Sequence, residues 1–354
     1  MGKVLIAMSG GVDSSVAAYL LKHSGWDCVG ATMTLYRNED IGISRSRTCC
    51  SLEDVEDARS VAFRLRIPYY VFNFSDEFRR QVMDRFADTY GQGRTPNPCI
   101  DCNRYLKFRH LYDRAALLGC DTIATGHYAR IERENGRYLL KKALDASKDQ
   151  SYVLYMLTQE QLAHTQFPLG ALRKAETRQL ADSLGFFNAR KPDSQDICFV
   201  PDGDYAAFIR RHTGKADTPG NFVDESGRIL GRHRGIAHYT IGQRKGLGIP
   251  SNRPLYVKAI DPKSNQVVLS ENDALFSQQL TGENFNWIAW EAPPRQFRCS
   301  AKIRYRQTEQ PCTVTVTAEG RAEVCFDMPQ RAITPGQAVV FYEGDTVLGG
   351  GTIL

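Results

Sequence analysis

The chain has 354 residues, of which 42% are hydrophobic and 24% charged, with 45 Lys and Arg against 40 Asp and Glu. That length exceeds what one core usually fills and predicts two or three domains, and the composition excludes wholesale disorder. A surplus of five positive charges permits a polyanionic partner without demanding one.

In chain order, Lys3 to Met8 reads as a buried strand, Ser14 to His23 as a helix and Cys28 to Leu35 as a second strand. From Glu53 the apolar residues Val55, Ala58, Val61, Ala62 and Leu65 recur at helical spacing behind an acidic first turn. A strand at Tyr69–Phe74, a helix at Phe78–Tyr90 and a short strand at Thr122–Thr125 follow. Such alternation predicts an α/β fold, a parallel sheet with helices on both faces. Asn135-Gly136 predicts a hairpin attached to it, and helical patterns resume between Gln150 and Leu184. After about Asp202 the chain becomes Gly-rich, Pro-punctuated and β-branched, which predicts β barrels or half-open sheets. The expected domains are 1–202, catalytic; 203–275, small and mainly β; and 276–354, β-barrel-like.

No run of eighteen apolar residues occurs, and Val4 to Met8 is too short for a signal-peptide core, so a cytoplasmic protein with no membrane partner is expected. In that reducing compartment ten cysteines do not imply a disulfide framework. Cys28, Cys120, Cys312 and Cys325 lie in apolar runs and read as buried fillers. Cys49-Cys50 reads as a spectator pair, with transient sulfur acceptance as the alternative.

The stretch "SGGVDSS", Ser9 to Ser15, joins the first strand to the first helix. Unpaired N–H groups and the positive end of the helix dipole meet there, which makes an anion site. Gly10 and Gly11 let backbone approach phosphate closely, Ser9, Ser14 and Ser15 add hydroxyl donors, and Asp13 can hold magnesium. The plainer reading is that Asp13 or Ser14 only caps the helix. The loop lacks the Gly-Lys-Ser/Thr ending of a Walker loop, and no GxGxxG follows a strand, so neither γ-phosphate transfer nor dinucleotide binding is favoured.

Cys99-x-x-Cys102 stands in "GRTPNPCIDCNRYLKF", and Cys198 in "RKPDSQDICFVPDGDY". A zinc half-site, a redox pair and inert thiols all remain open for the first two. A reactive thiol needs nearby cations or a helix N-terminus, and Arg104, Lys107, Arg109, Arg190 and Lys191 are close in sequence. Lys302, Arg304 and Arg306 alternate with Ile303 and Tyr305, so a strand there would line three cations on one face for phosphates.

The loop resembles the signature of the PP-loop ATP pyrophosphatases, which split ATP between α and β phosphates and leave adenylate on a substrate oxygen. Together "AMSGGVDSS", "GRTPNPCIDCNRYLKF", "ATGHYAR", "KDQSYVLY", "KPDSQDICF", "YTIGQRKGLGI" and "KIRYRQ" resemble the tRNA-specific 2-thiouridylases, in the right order over nearly the whole chain. The resemblance implies replacement of the C2 oxygen of the wobble uridine by sulfur in tRNAs for Lys, Glu and Gln. It implies ATP with magnesium held by Ala7, Met8, Ser9, Gly10, Gly11, Val12, Asp13, Ser14, Met33 and Gly126. Cys102 would be the nucleophile and Cys198 the persulfide carrier, supplied by a cysteine desulfurase or sulfur-relay protein. Asn97, Pro98 and Cys99 would meet the target base of an anticodon stem-loop. His127, Lys148, Asp149, Gln150, Arg304, Tyr305 and Gln337 would touch tRNA. Position 99 is aspartate in some members and cysteine here. A competing chemistry places a [4Fe–4S] cluster on Cys99, Cys102 and Cys198. The same loop would also suit a PP-loop amide-forming ligase, or a non-catalytic RNA-binding protein that uses its ATP site as a switch.

Overall fold

The computed structural model describes residues 2–37, 39–41, 52–193, 196–317 and 320–354. The Cys49-Cys50 pair lies outside the described residues.

Seven strands come first: β1 (Lys3–Ala7), β2 (Asp27–Thr34), β3 (Tyr69–Asn73), β4 (Thr122–Ala124), β5 (Arg130–Glu134), β6 (Arg137–Lys141) and β7 (Thr165–Gln166). Five of them form an all-parallel sheet in the order β3-β2-β1-β4-β7. Its inner strands β1 and β4 are apolar on both faces because both are covered, while the edge strand β3 leaves Tyr70 and Val71 exposed. The period of two sends Val4 and Ile6 of β1 into a core with Val16, Ala58 and Ala181 of the helices Val12–His23, Leu52–Arg64 and Lys174–Ser183. Leu5 points the other way, into a core with Phe78, Phe86, Leu106 and Leu111. The expected doubly covered parallel sheet is therefore what forms.

Helical regularity differs from the expected pattern on that second face. The run Ser75–Gly91 carries a π-helical turn at Arg79–Met83, and the run Pro98–Leu117 is π-helical from Cys102 to His110. Apolar spacing of 3.6 cannot announce such a stretch.

Asn135 and Gly136 both adopt positive φ, 49° and 83°, which suits a two-residue hairpin turn between β5 and β6. Lys141 of β6 also pairs with Thr346 near the C-terminus, so the hairpin fastens the first unit to the last.

A small sheet follows: β8 (Gly220–Val223), β9 (Ile229–His233), β10 (Tyr256–Asp261) and β11 (Gln266–Ser270), ordered β10-β11-β8-β9 around Phe222, Tyr239, Val257 and Val267. The last six strands are β12 (Phe276–Trp287), β13 (Gln296–Lys302), β14 (Gln310–Val316), β15 (Ala322–Arg331), β16 (Ala338–Glu343) and β17 (Thr346–Ile353). They run β12-β15-β14-β13-β16-β17, and the β12–β17 pairing closes them into an antiparallel barrel with no free edge. Cys28, Cys120 and Cys312 are buried as expected, but Cys325 is exposed. It falls on the outward phase of β15, whose burial alternates from Ala322 to Asp327.

The barrel docks on the first unit through polar contacts to backbone. Tyr152 OH donates to Ala338 O at 2.8 Å, Asn286 Nδ2 to Tyr155 O at 2.7 Å, and Gln337 Nε2 to Thr95 O at 3.0 Å.

Candidate active site

In the parallel sheet β2 and β3 lie to one side of β1, and β4 and β7 to the other. The crevice at the carboxyl ends of β1 and β4, where strand order reverses, is where such sheets bind ligands. Ser9 to Ser15 leaves β1 at that point, and Gly126 follows β4. A Cβ on Gly126 would lie 2.8 Å from Ser14 N and 2.9 Å from the Asp13 carbonyl carbon, so only glycine lets the two segments meet.

Gly11, not Asp13 or Ser14, occupies the helix N-cap and makes no side-chain cap bond, so the plain capping reading fails. Ser14 and Ser15 turn their hydroxyls onto Gly11 O at 3.1 and 3.0 Å, shaping the loop, and Ser9 is the exposed serine. Gly10 has φ of 75°, and a Cβ there would stand 2.4 Å from Asp54 O. From 178 residues away Asn188 Nδ2 donates to Gly10 O at 2.8 Å and to Ser15 Oγ at 2.9 Å. Met33 is half-buried near the end of β2.

Asp13 meets a cation instead of open space. Lys174 Nζ lies 2.7 Å from each of its carboxylate oxygens, and Tyr128 OH donates to Oδ1 at 2.9 Å. Lys174 also reaches Asp193 Oδ1 at 2.8 Å, and Asp193 takes Lys148 at 2.8 Å and Arg178 at 2.7 Å. Burial pushes the Asp193 carboxyl up, but hydrogen bonds from Lys148 and Lys174 outweigh it and hold the group at about 2, below its ordinary 3.8. A depressed carboxyl stabilises the fold above its unfolded value and stops doing so as pH falls through the folded one. The Asp193 contribution is therefore expected in full above pH ~4 and lost toward pH ~2. Melting temperature against pH should show a shallower acid limb in Asp193→Asn; an unchanged limb would refute the role.

Cys102 begins the π-helical stretch behind Asn97, which caps the short Pro98–Asp101 helix by accepting from Cys99 N at 3.2 Å. It is 9% exposed, and burial pushes its thiol up to about 11 against the pull of Lys107. The resting group is thus a thiol, even though Lys107 lies close to it. Of the other cations, Lys191 pairs with Asp54 and Asp57, and Arg190 stands 3.8 Å from Asp182. Cys198 is half-buried, and its carbonyl accepts from Tyr36 OH at 2.7 Å. Next to it Phe199 is locked among Phe78, Phe86 and Phe208 at 5.6, 5.3 and 4.9 Å between ring centroids. Cys102 and Cys198 border the same hydrophobic core. Among the described residues no group of three His, Cys, Asp or Glu side chains is placed to hold a metal. The donor set therefore does not fit a cluster on Cys99, Cys102 and Cys198.

The residues expected at RNA divide into surface and support. Cys99 is exposed and lies within electrostatic reach of Tyr305, itself 38% exposed and 6.1 Å from the Tyr152 ring. His127 is buried: Thr125 Oγ1 is 2.6 Å from Nδ1, and Lys107 Nζ is 3.4 Å from Nε2. Burial and Lys107 lower its basicity well below the usual value, so it is neutral. Lys148 pairs with Asp193, Asp149 accepts from Ala143 N at 3.1 Å and Ser151 Oγ at 2.8 Å, and Gln150 Oε1 accepts from Tyr128 N at 2.9 Å. The triple cation stripe does not form. β13 ends at Lys302, a turn from Arg304 O to Gln307 N follows, and the Arg304 guanidinium folds back on the carbonyls of Arg331 and Ala332. Lys174, Asp193, Asn188 and Tyr128 escaped the sequence reading. "LRKAETR" and "FFNARKPD" hold no spacing that ties them to the loop.

A family model described as tRNA methyl transferase HUP domain matches residues 2–202, one described as tRNA methyl transferase PRC-barrel domain matches 206–271, and one described as Aminomethyltransferase beta-barrel domain matches 277–353. The tRNA-specific 2-thiouridylase MnmA of Lachnoclostridium phytofermentans is 53% identical, covering 100% of both chains. The tRNA-specific 2-thiouridylase MnmA 1 of Thermoanaerobacter pseudethanolicus is 54% identical over 99% of this chain and 97% of its own. The corresponding Clostridioides difficile protein is 50% identical over 99% and 98%. With identity at that level along the full length of both partners, the chain belongs to the tRNA-specific 2-thiouridylases.

Proposed function

We propose that this chain is a tRNA-uridine 2-sulfurtransferase that activates the wobble uridine with ATP and then delivers sulfur from a cysteine persulfide. The observation that carries the reading is the glycine loop at the β1/β4 crevice, with Cys102 and Cys198 bordering one core beneath the same sheet. Residues 7–14, with Met33 and Gly126 beside them, would hold ATP and the magnesium that enters with it as substrate. The helix N-terminus and loop N–H groups would take the departing pyrophosphate, which asks for no lysine within the loop.

Two steps follow. The uridine C2 oxygen attacks the α-phosphorus, pyrophosphate leaves, and the oxygen becomes part of a good leaving group. The terminal sulfur of the Cys198 persulfide then attacks C2 and AMP departs. Cys102 attacks Sγ of Cys198, the S–S bond to the RNA breaks, and 2-thiouridine and a Cys102–Cys198 disulfide remain. A thiol reductant resets the pair. The buried state of Cys102 suits this order, since burial pushes its thiol up and keeps it protonated, so that it does not strip the persulfide early. The opposite order, in which Cys102 frees sulfide first, ends in the same disulfide.

The base would enter beside Cys99, with Asn97 and Pro98 shaping that turn, and Tyr305 offers a stacking face. Lys148 to Gln150, His127, Arg304 and Gln337 would act mostly by holding contact segments in place. The barrel would be the second tRNA-contacting body. A cysteine desulfurase or relay protein would load Cys198, and the tRNAs for Lys, Glu and Gln are the expected substrates. Mass spectrometry of wobble nucleosides after incubation with ATP, tRNA and a persulfide donor tests the reading. 2-Thiouridine is expected only when all three are present, and its absence with pyrophosphate still released would overturn the sulfur assignment.

A further inference from the structure

The Ser9–Ser15 loop contains no lysine, yet one reaches it. Lys174 opens the Lys174–Ser183 helix with its backbone N–H held by Asp145 Oδ2 at 2.9 Å, and it is 8% exposed. Its ammonium is shared between two acids from different parts of the chain. Asp13 lies in the first turn of the Val12–His23 helix, directly after the loop that leaves β1. Asp193 lies five residues before Cys198 in sequence, at the end of the described run 52–193, which also grips the loop region through Asn188 at Gly10 O and through Lys191 at Asp54, whose backbone abuts Gly10.

We propose that Lys174 is a positioning residue that couples the two half-reactions by holding the nucleotide loop in register with the 188–193 stretch that precedes Cys198 in sequence. The inference rests on the function proposed above. Without the ammonium, Asp13 and Asp193 face each other across a partly buried gap with no cation between them, and like charges there separate. Asp193 keeps Lys148 and Arg178, so it follows those cations, while among the described residues Asp13 keeps only the Tyr128 hydroxyl. The loop N–H groups stay in place, so adenylation outlasts sulfur transfer. Water then attacks C2 of the adenylated uridine, AMP leaves, and uridine is regenerated with one ATP consumed.

The readout is the ratio of pyrophosphate released to 2-thiouridine formed by the full-length enzyme with tRNA and a persulfide donor. Wild type should give a ratio near one. Lys174→Met should raise it about tenfold, within the range of coupling between contacting charged groups, and raise KM for ATP. Lys174→Arg should keep the ratio within about twofold of wild type because the cation remains. Asp193→Asn alone should raise it in a protein that retains the Lys174–Asp13 pair, and Lys174→Met with Asp193→Asn should raise it no further than Lys174→Met alone, because both changes break the same bridge. A parallel loss of both products in Lys174→Met, with the ratio unchanged, overturns the inference, as does a double variant whose ratio is the product of the two single effects. Wild type that releases pyrophosphate but makes no 2-thiouridine overturns the functional reading instead.

Discussion

With Cys198 replaced by serine, tRNA-dependent pyrophosphate release should continue while 2-thiouridine falls by at least ~10³-fold, the scale on which loss of an obligatory nucleophile is felt. The separation follows from geometry. Adenylation needs the loop after β1 and the glycine after β4, neither of which contains a cysteine, whereas Cys198 sits beside Phe199, which is anchored in a different core. Cys102→Ser should also lose product, but the species it accumulates tells the two sulfur orders apart. If the persulfide attacks C2 first, the variant should trap RNA joined to Cys198 through a disulfide, which dithiothreitol releases and gel mobility detects. If Cys102 must first free sulfide, the variant keeps its persulfide and traps no RNA. The buried thiol of Cys102 favours the first result. Parallel loss of pyrophosphate release in Cys198→Ser would count against any two-stage scheme.

Local signals carried the framework. Apolar runs broken by glycine and acid-headed helices are short-range features, so the parallel sheet and the loop at its first strand were legible, as was the Asn135-Gly136 hairpin. The barrel's many β-branched segments announced strands, but only register reveals that β12 pairs with β17 and closes it. What was not legible depends on distance along the chain. The Lys174–Asp13 pair spans 161 residues and Asn188–Gly10 spans 178, and no periodicity encodes either. The alternation in "KIRYRQ" looked like a strand because side-chain period is all a sequence can show, and Gln307 decides otherwise by accepting from Ile303 N at 3.1 Å. Cys102 was found through motif resemblance. Its protonated resting state was hidden, because burial by residues far away outweighs the lysine five positions on. His127 likewise looked available at a strand end, and the packing of Phe108 and Phe167 around it puts it inside.

The other large effect is expected at a position with no side chain at all. In Gly126→Ala the added methyl would stand 2.8 Å from Ser14 N and 2.9 Å from the Asp13 carbonyl carbon, closer than real Cβ contacts come. One of the two segments must yield. The loop cannot withdraw freely, since Asn188 holds Gly10 O, Lys174 and Tyr128 hold Asp13, and Gly10 already abuts the Asp54 backbone. Gly126 is tied on its other side to β4 in the middle of the sheet and to the buried His127. Strain of this kind costs about 1–3 kcal/mol of stability and leaves a folded enzyme. A displacement of the loop approaching 1 Å costs about 10²-fold in a reaction that relies on positioning phosphates. ATP-dependent pyrophosphate release should therefore drop about 10²-fold, with KM for ATP raised and tRNA binding unchanged, because the exposed surface around Cys99 and Tyr305 belongs to other segments. Gly91→Ala, where nothing lies within 4 Å of the new methyl, is the control and should behave as wild type. Should Gly126→Ala keep its affinity for ATP while losing tRNA, the contact between the β4 segment and the phosphate loop would not be what organises the nucleotide site.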